Sequence, residues 1–269
     1  METLALPLLI GLVALALAFD FLNGLHDAAN SIATVVSTRL LSPVQAVLFA
    51  AFFNFAAYWV FGLKVAETIG KGIIDKDVIT PAVIFGALVG AMAWNVFTWV
   101  KGIPSSSSHA LVGGLIGAGT AHAGMSGIVW PGVIKTASAI VLSPTIGLII
   151  SMTIMLLTSW AFVRSRAQTA ETVFKRLHLV SSAAYSLGHG ANDAQKTMGI
   201  ITVLLYSQGM LGGEFHVPGW VVLSCYTAIA LGALSGGWKI IETMGTRITK
   251  LSHHPVSYTH LRAHETKAN

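Results

Sequence analysis

Two short polar strings carry the residues of this chain best suited to chemistry. The first is Asn23-Gly24-Leu25-His26-Asp27-Ala28-Ala29-Asn30-Ser31, and the second is His189-Gly190-Ala191-Asn192-Asp193-Ala194-Gln195-Lys196-Thr197. Each sets one carboxylate at the edge of an apolar run. An acid inside a membrane segment costs about 2.5–3.5 kcal/mol on insertion scales, so something must offset it. A bound cation or a proton does so, and either suits coupled transport. A carboxylate capping a helix at the wet membrane surface is the other reading of the same residues. Aligned without gaps, the strings pair Gly24 with Gly190, Asp27 with Asp193, Ala28 with Ala194, Asn30 with Lys196 and Ser31 with Thr197. Many transporters are built from such internal repeats, with the site at the repeat interface. Asp20 aligns with Ser186 and has no acidic counterpart, so a structural role suits it at least as well.

A third string, Pro104-Ser105-Ser106-Ser107-Ser108-His109, offers four hydroxyls and the free backbone N–H groups of a helix start. Those groups favour an anion. A tetrahedral oxyanion such as phosphate could be held there without an arginine. A flexible polar loop is the plainer reading of a serine run. Ser–His nucleophilic catalysis is a third, with no acid following His109 to orient the imidazole.

These groups must be positioned by an unusually apolar chain. Of 269 residues, 54% are hydrophobic and 10% charged, where an ordinary soluble domain carries about 25% charged residues. Mean hydropathy is +0.72. A water-soluble globule and a disordered chain are both excluded. The net charge of +5 lies in short clusters between apolar runs. That pattern reads as membrane orientation rather than nucleic-acid binding. The single cysteine, Cys225, excludes an internal disulfide and a Cys-based zinc site. His122, His178 and His216 show no metal-ligand spacing.

Charged residues are absent from 3–19, 40–63, 78–100, 102–134, 136–163, 177–192, 197–213 and 215–238. About 20 apolar residues span a bilayer as a helix, which 40–63, 78–100 and 215–238 satisfy directly. Pro144 places the crossing of the fifth run at 144–163. The first run lacks a positive n-region and reads as a retained helix rather than a signal peptide. The run 102–134 is broken by the serine string and is rich in glycine. Non-helical backbone cannot face lipid, so this run predicts a re-entrant hairpin near 102–125. The run 197–213 is short and follows a polar string, which points to a binding site. The basic stretch 164–178, with Arg164, Arg166, Lys175 and Arg176 against Glu171, predicts a cytoplasmic linker. The loop 64–77 balances acids and bases and suits the outer side.

Three of these strings together resemble a known family. Phe19-Asp20-Phe21-Leu22-Asn23-Gly24-Leu25-His26-Asp27-Ala28-Ala29-Asn30-Ser31-Ile32-Ala33-Thr34 is similar to the first signature of the bacterial inorganic phosphate transporter (PiT) family. Gly188-His189-Gly190-Ala191-Asn192-Asp193-Ala194-Gln195-Lys196-Thr197-Met198-Gly199 resembles its second signature, and Pro104 to Ala110 its first hairpin tip. The match runs from about residue 10 to about residue 254. The resemblance implies an all-α integral membrane protein, an inverted-repeat secondary transporter with a re-entrant helical hairpin. It implies inward movement of phosphate with sodium or protons across the cytoplasmic membrane by alternating access. It implies coupling-cation positions at Asp27, Asn30, Asn192 and Asp193. It implies phosphate positions at Ser105, Ser106, Ser107, Ser108, Gln195 and Thr197. Lys196 beside them could meet the anion, though its long stem could equally reach the interface, and a histidine near a cation site, His26 or His189, hints at proton linkage. The expected partners are inorganic phosphate, free or as a metal complex, the lipid bilayer, and a second copy in a homodimer. No nucleic acid, cofactor, metal beyond sodium, or enzymatic activity is expected.

The chemistry agrees with the resemblance. Two aspartates beside phosphate would repel it, and a hard cation with oxygen ligands can bridge them to the anion. Cations would bind first and phosphate second. A proton-coupled permease for sulfate or another tetrahedral oxyanion is the nearest rival. A membrane Ser/His enzyme and an inactive fragment are the others.

The resemblance also divides the chain. Residues 1–163 form a first repeat, 164–178 a linker, 179–254 a partial second repeat, and 255–269 a tail unlike the family. Within that tail, Pro255 to His260 mimics a hairpin tip, but charged residues follow it, while those after His109 are apolar and Gly-rich. The second repeat therefore reads as incomplete by one hairpin and at least one span. A chain so shortened is expected to transport weakly or not at all.

Overall fold

The computed structural model describes residues 4–60, 73–75, 78–212 and 214–243. Most of the loop 64–77 and all of the tail 255–269 lie outside the described residues. The chain forms α1 (Leu6–Ser37), α2 (Pro43–Val60), α3 (Pro81–Lys101), α4 (Ser107–Ala123), α5 (Trp130–Phe162), α6 (Ala167–Ser207), α7 (Gly219–Ser235) and the short α8 (Trp238–Glu242). Proline opens α1, α3 and α5 within their first two positions, where its missing N–H costs nothing. Thr80 caps α3 by accepting from the Val83 N–H at 3.3 Å. Four of the described helices, α1, α2, α3 and α5, are long and apolar enough to cross a membrane.

Two long helices make the centre. α1 and α6 run antiparallel, as their cross-links show. Leu4 N–H donates to Gln208 Oε1 at 2.6 Å, the Thr197 hydroxyl to Asp20 Oδ1 at 2.9 Å, and the Ser182 hydroxyl to the Ser31 carbonyl at 2.6 Å. His178 Nε2 lies 3.0 Å from Thr34 Oγ1. Around these links Phe19, Met198, Ile201, Leu204 and Tyr226 form a buried core.

The next helix of each half packs on the other half's long helix. α7 lies chiefly along α1, and α2 lies along both α6 and α7. The two glycines aligned in the sequence permit both contacts. A methyl at Gly24 would collide with the Ile229 carbonyl of α7, and one at Gly190 with the Asn54 backbone of α2.

α3 and α4 form a helical hairpin. Gly114 lets α4 approach the Ala87 carbonyl of α3 too closely for any side chain. At the base, Asp75 N–H donates to the Gly127 carbonyl and Val129 N–H to the Ile73 carbonyl, each at 3.0 Å. At the tip, Gly102 ends α3 with φ 66°, a left-handed turn that glycine adopts freely. Ser106 then caps α4, its hydroxyl accepting from the His109 N–H at 3.4 Å.

α5 differs from the sequence reading, and two other stretches gain detail. The run 78–100, expected as a span, is α3, which is long and apolar enough to cross a membrane and packs along α4. α5 continues unbroken through Pro144 from Trp130. Proline is tolerated in membrane helices where side chains re-satisfy backbone groups. Pro144 has no N–H to give the Ile140 carbonyl, yet the helix runs on; the Thr145 hydroxyl donates to the next acceptor along, the Val141 carbonyl, at 2.8 Å. The basic stretch 164–178 is helical from Ala167 and forms the first turns of α6. Its Ala, Gln, Glu, Lys and Arg residues favour helix, and Lys175 pairs with Glu171 at 2.7 Å.

Candidate functional site

Both signature acids lie within helices rather than at their ends. Asp27 is 6% exposed within α1 and Asp193 4% exposed within α6, so neither is a wet helix cap. Antiparallel packing of α1 on α6 brings them together. One ligand atom from each of Asp27, His189 and Asp193 falls within 4.8 Å of the others. His189 Nε2 stands between them, 2.9 Å from Asp193 Oδ2 and 3.5 Å from Asp27 Oδ2.

The hairpin tip closes the third side. The Ser107 hydroxyl sits between Asn23 Oδ1 and Asp27 Oδ2, 2.7 Å from the latter. Ser108 accepts from the Lys196 ammonium, which also reaches Asp193 Oδ1 at 2.5 Å. Ser105 accepts from the Trp94 indole at 2.9 Å. His26 ties α1 to α3 through Thr98 Oγ1 at 3.0 Å, and its Nδ1 lies 3.6 Å from Asp27 Oδ1. Asn30 donates to the same oxygen at 3.4 Å.

These groups surround a cleft of about 380 Å³ lined by Asp27, Asn30, Pro104, Ser105, Ser106, Ser108, Tyr185, His189 and Asp193. The first N–H groups of α4 have no carbonyl behind them within the helix. The positive end of the helix dipole lies there as well. Carboxylate and amide oxygens on one wall suit a small hard cation. Serine hydroxyls and a helix start on the other suit an oxyanion, with the Lys196 ammonium bonded to Ser108.

The structure gathers some of the expected site residues and separates others. Asp27, Asn30, Asp193, His189, Ser105, Ser106 and Ser108 line the cleft. Lys196 and Ser107 bond to residues that do, and His26 stands beside Asp27. Asn192 is exposed, about 100° around α6 from Asp193. Gln195 is buried on nearly the opposite face from Asp193. Thr197 lies one turn beyond Asp193 and bonds to Asp20. Tyr185 was missed. It stacks on His189 with ring centroids 6.3 Å apart. The signal for it was spacing, since 185, 189 and 193 fall on one helix face.

Several membrane-length helices packed around a buried, charged and hydroxyl-rich cleft define an all-helical, multi-pass membrane protein. Residues 23–257 match the profile of the Phosphate transporter family, and the chain belongs to that family. It is 64% identical over 250 residues to a protein of Rhizobium meliloti described as a probable low-affinity inorganic phosphate transporter, covering 93% of this chain and 75% of that one. A Bacillus subtilis protein of the same description is 44% identical over 248 residues, covering 91% and 74%. A solved structure described as the sodium-dependent phosphate transporter superposes with a TM-score of 0.79 at 26% identity, covering 92% of this chain and 80% of that one. Membership places the chain among transporters and not enzymes.

Proposed function

We propose that this chain is a cation-coupled symporter of inorganic phosphate that works by alternating access. The observation that carries the reading is the meeting of two buried carboxylates from antiparallel helices with the serine tip of a hairpin, at one cleft. A bare phosphate would be repelled by Asp27 and Asp193. A cation held by Asp27 and Asn30 removes that repulsion, and phosphate then fits against Ser105, Ser106, Ser108, the start of α4 and the Lys196 ammonium. The tip, tied to α1 through Ser107 and to α6 through Ser108, is the element that would open the loaded cleft to the other side. His26 and His189, beside the acids, are the groups through which a proton could replace sodium.

An inverted-repeat architecture with a re-entrant hairpin belongs to this reading. It is supported by the antiparallel signature helices and by the equivalent roles of Gly24 and Gly190. Residues 1–163 are then the first repeat, 164–178 the cytoplasmic connection and 179–254 the part of the second repeat in this chain. A homodimer is the assembly the reading retains.

The test is cation-stimulated binding of radiolabelled phosphate to the purified chain, with uptake into liposomes measured alongside. Asp27→Asn or Asp193→Asn should weaken binding roughly 10- to 100-fold, the usual weight of a charge-assisted contact. Excess sulfate should not compete. Unchanged binding in both variants, or displacement by sulfate alone, would overturn the reading.

A further inference from the structure

The two halves of the cleft are not equivalent. The internal repeat pairs Asn30 with Lys196, each three residues after its aspartate. At Asp27 the neighbour is an amide, with Asn30 Nδ2 3.4 Å from Oδ1. A rotated amide offers its oxygen, so Asp27 and Asn30 together can supply the oxygen ligands a hard cation takes. At Asp193 the corresponding neighbour is an ammonium. Lys196 Nζ lies 2.5 Å from Asp193 Oδ1 and also donates to Ser108 at the hairpin tip. Asp193 Oδ2 is met by His189 Nε2 at 2.9 Å. Both oxygens of this carboxylate are thus engaged by its own helix. An ammonium has three donors and no acceptor, so it cannot ligate a cation and repels one.

We propose that Lys196 is a built-in cation. Its ammonium holds, between Asp193 and the hairpin tip, the place that a mobile ion takes beside Asp27 and Asn30. This half of the cleft therefore takes up no sodium. The fixed charge is held against Asp193 and Ser108, which line the cleft, and each transport cycle carries one cation fewer than two equivalent halves would. The inference rests on the proposed function in placing a sodium ion beside Asp27 and Asn30 and in naming phosphate as the anion.

The experiment counts sodium bound at equilibrium by the purified full chain at fixed pH, using radioactive sodium. Lys196→Asn, which gives the second half the chemistry of the first, should gain one sodium per chain. Lys196→Arg should gain none. The reciprocal Asn30→Lys should lose one. Equal counts in wild type and Lys196→Asn, with melting temperature retained, overturn the proposal. If Lys196→Asn does not fold, Asn30→Lys decides, and an unchanged count there overturns it. Phosphate binding is read on the same samples. Its absence alongside the expected sodium counts would defeat the phosphate reading and leave the role of Lys196 standing.

Discussion

Ser107 joins the hairpin to α1 through two polar side chains at once, Asn23 and Asp27, inside the protein. Ser107→Ala removes a donor from a buried carboxylate and should lower phosphate affinity roughly tenfold, a charge-assisted hydrogen bond contributing about 1.5–3 kcal/mol. Titrating phosphate binding of the variant against wild type checks this, and equal affinities would show that the tip does not depend on that tether. Cys225 is fully buried against the α1–α6 core. The native chain should therefore resist water-soluble thiol reagents. A cysteine placed at Tyr185 should react and should be protected by bound phosphate, as mass spectrometry would show. The acids, histidines and serines of the cleft were legible in the sequence because polar groups in an apolar run need a reason to be there. Tyr185 was not, since an aromatic residue needs none. Gln195 and Asn192 sit in a signature string, yet helix rotation turns them away from the cleft. A linear motif carries no such angle.

Helix packing in this molecule turns on a few backbone approaches. Gly190 leaves no room for a methyl against the Asn54 backbone, whereas Gly188, two residues earlier, has open space. Gly190→Ala should destabilise the protein by about 1–3 kcal/mol, the usual cost of overpacking, and Gly188→Ala should not. Melting temperatures in detergent would separate the two, and equal melting would deny that α2 depends on this approach. The existence and type of most helices followed from hydropathy alone. Their limits did not. Pro144 was expected to begin a crossing and instead sits inside α5, where it costs the helix one hydrogen bond, to the Ile140 carbonyl, without ending it. The basic stretch 164–178, expected as a linker, is built of good helix formers and is continuous with α6 from Ala167. The run 78–100 had the length of a span, and its partner α4 shows only in the packing.

At the scale of the whole molecule, the cleft is lined by α1, α6 and the hairpin, while α5 stands apart with no buried residue. Lysine at Leu148, Ile149 or Ile150, successive positions about 100° apart, should each impair membrane insertion of α5 by about 2.5–3.5 kcal/mol. A glycosylation-based insertion assay reads this, and a penalty confined to one face would mean that α5 has a protein-covered side. The exchanged packing of α2 on α6 and α7 on α1 has a consequence for how the protein is made. α2 is synthesised well before the helix it rests on. At ~5–20 residues per second its partner follows on the order of 10 s later. During that interval Gly190 has not yet been made, and Asn54 is a buried polar group still waiting for its environment. The seat of α2 against α6 can therefore be completed only when α6 arrives, although α3 and α4 can pair before then.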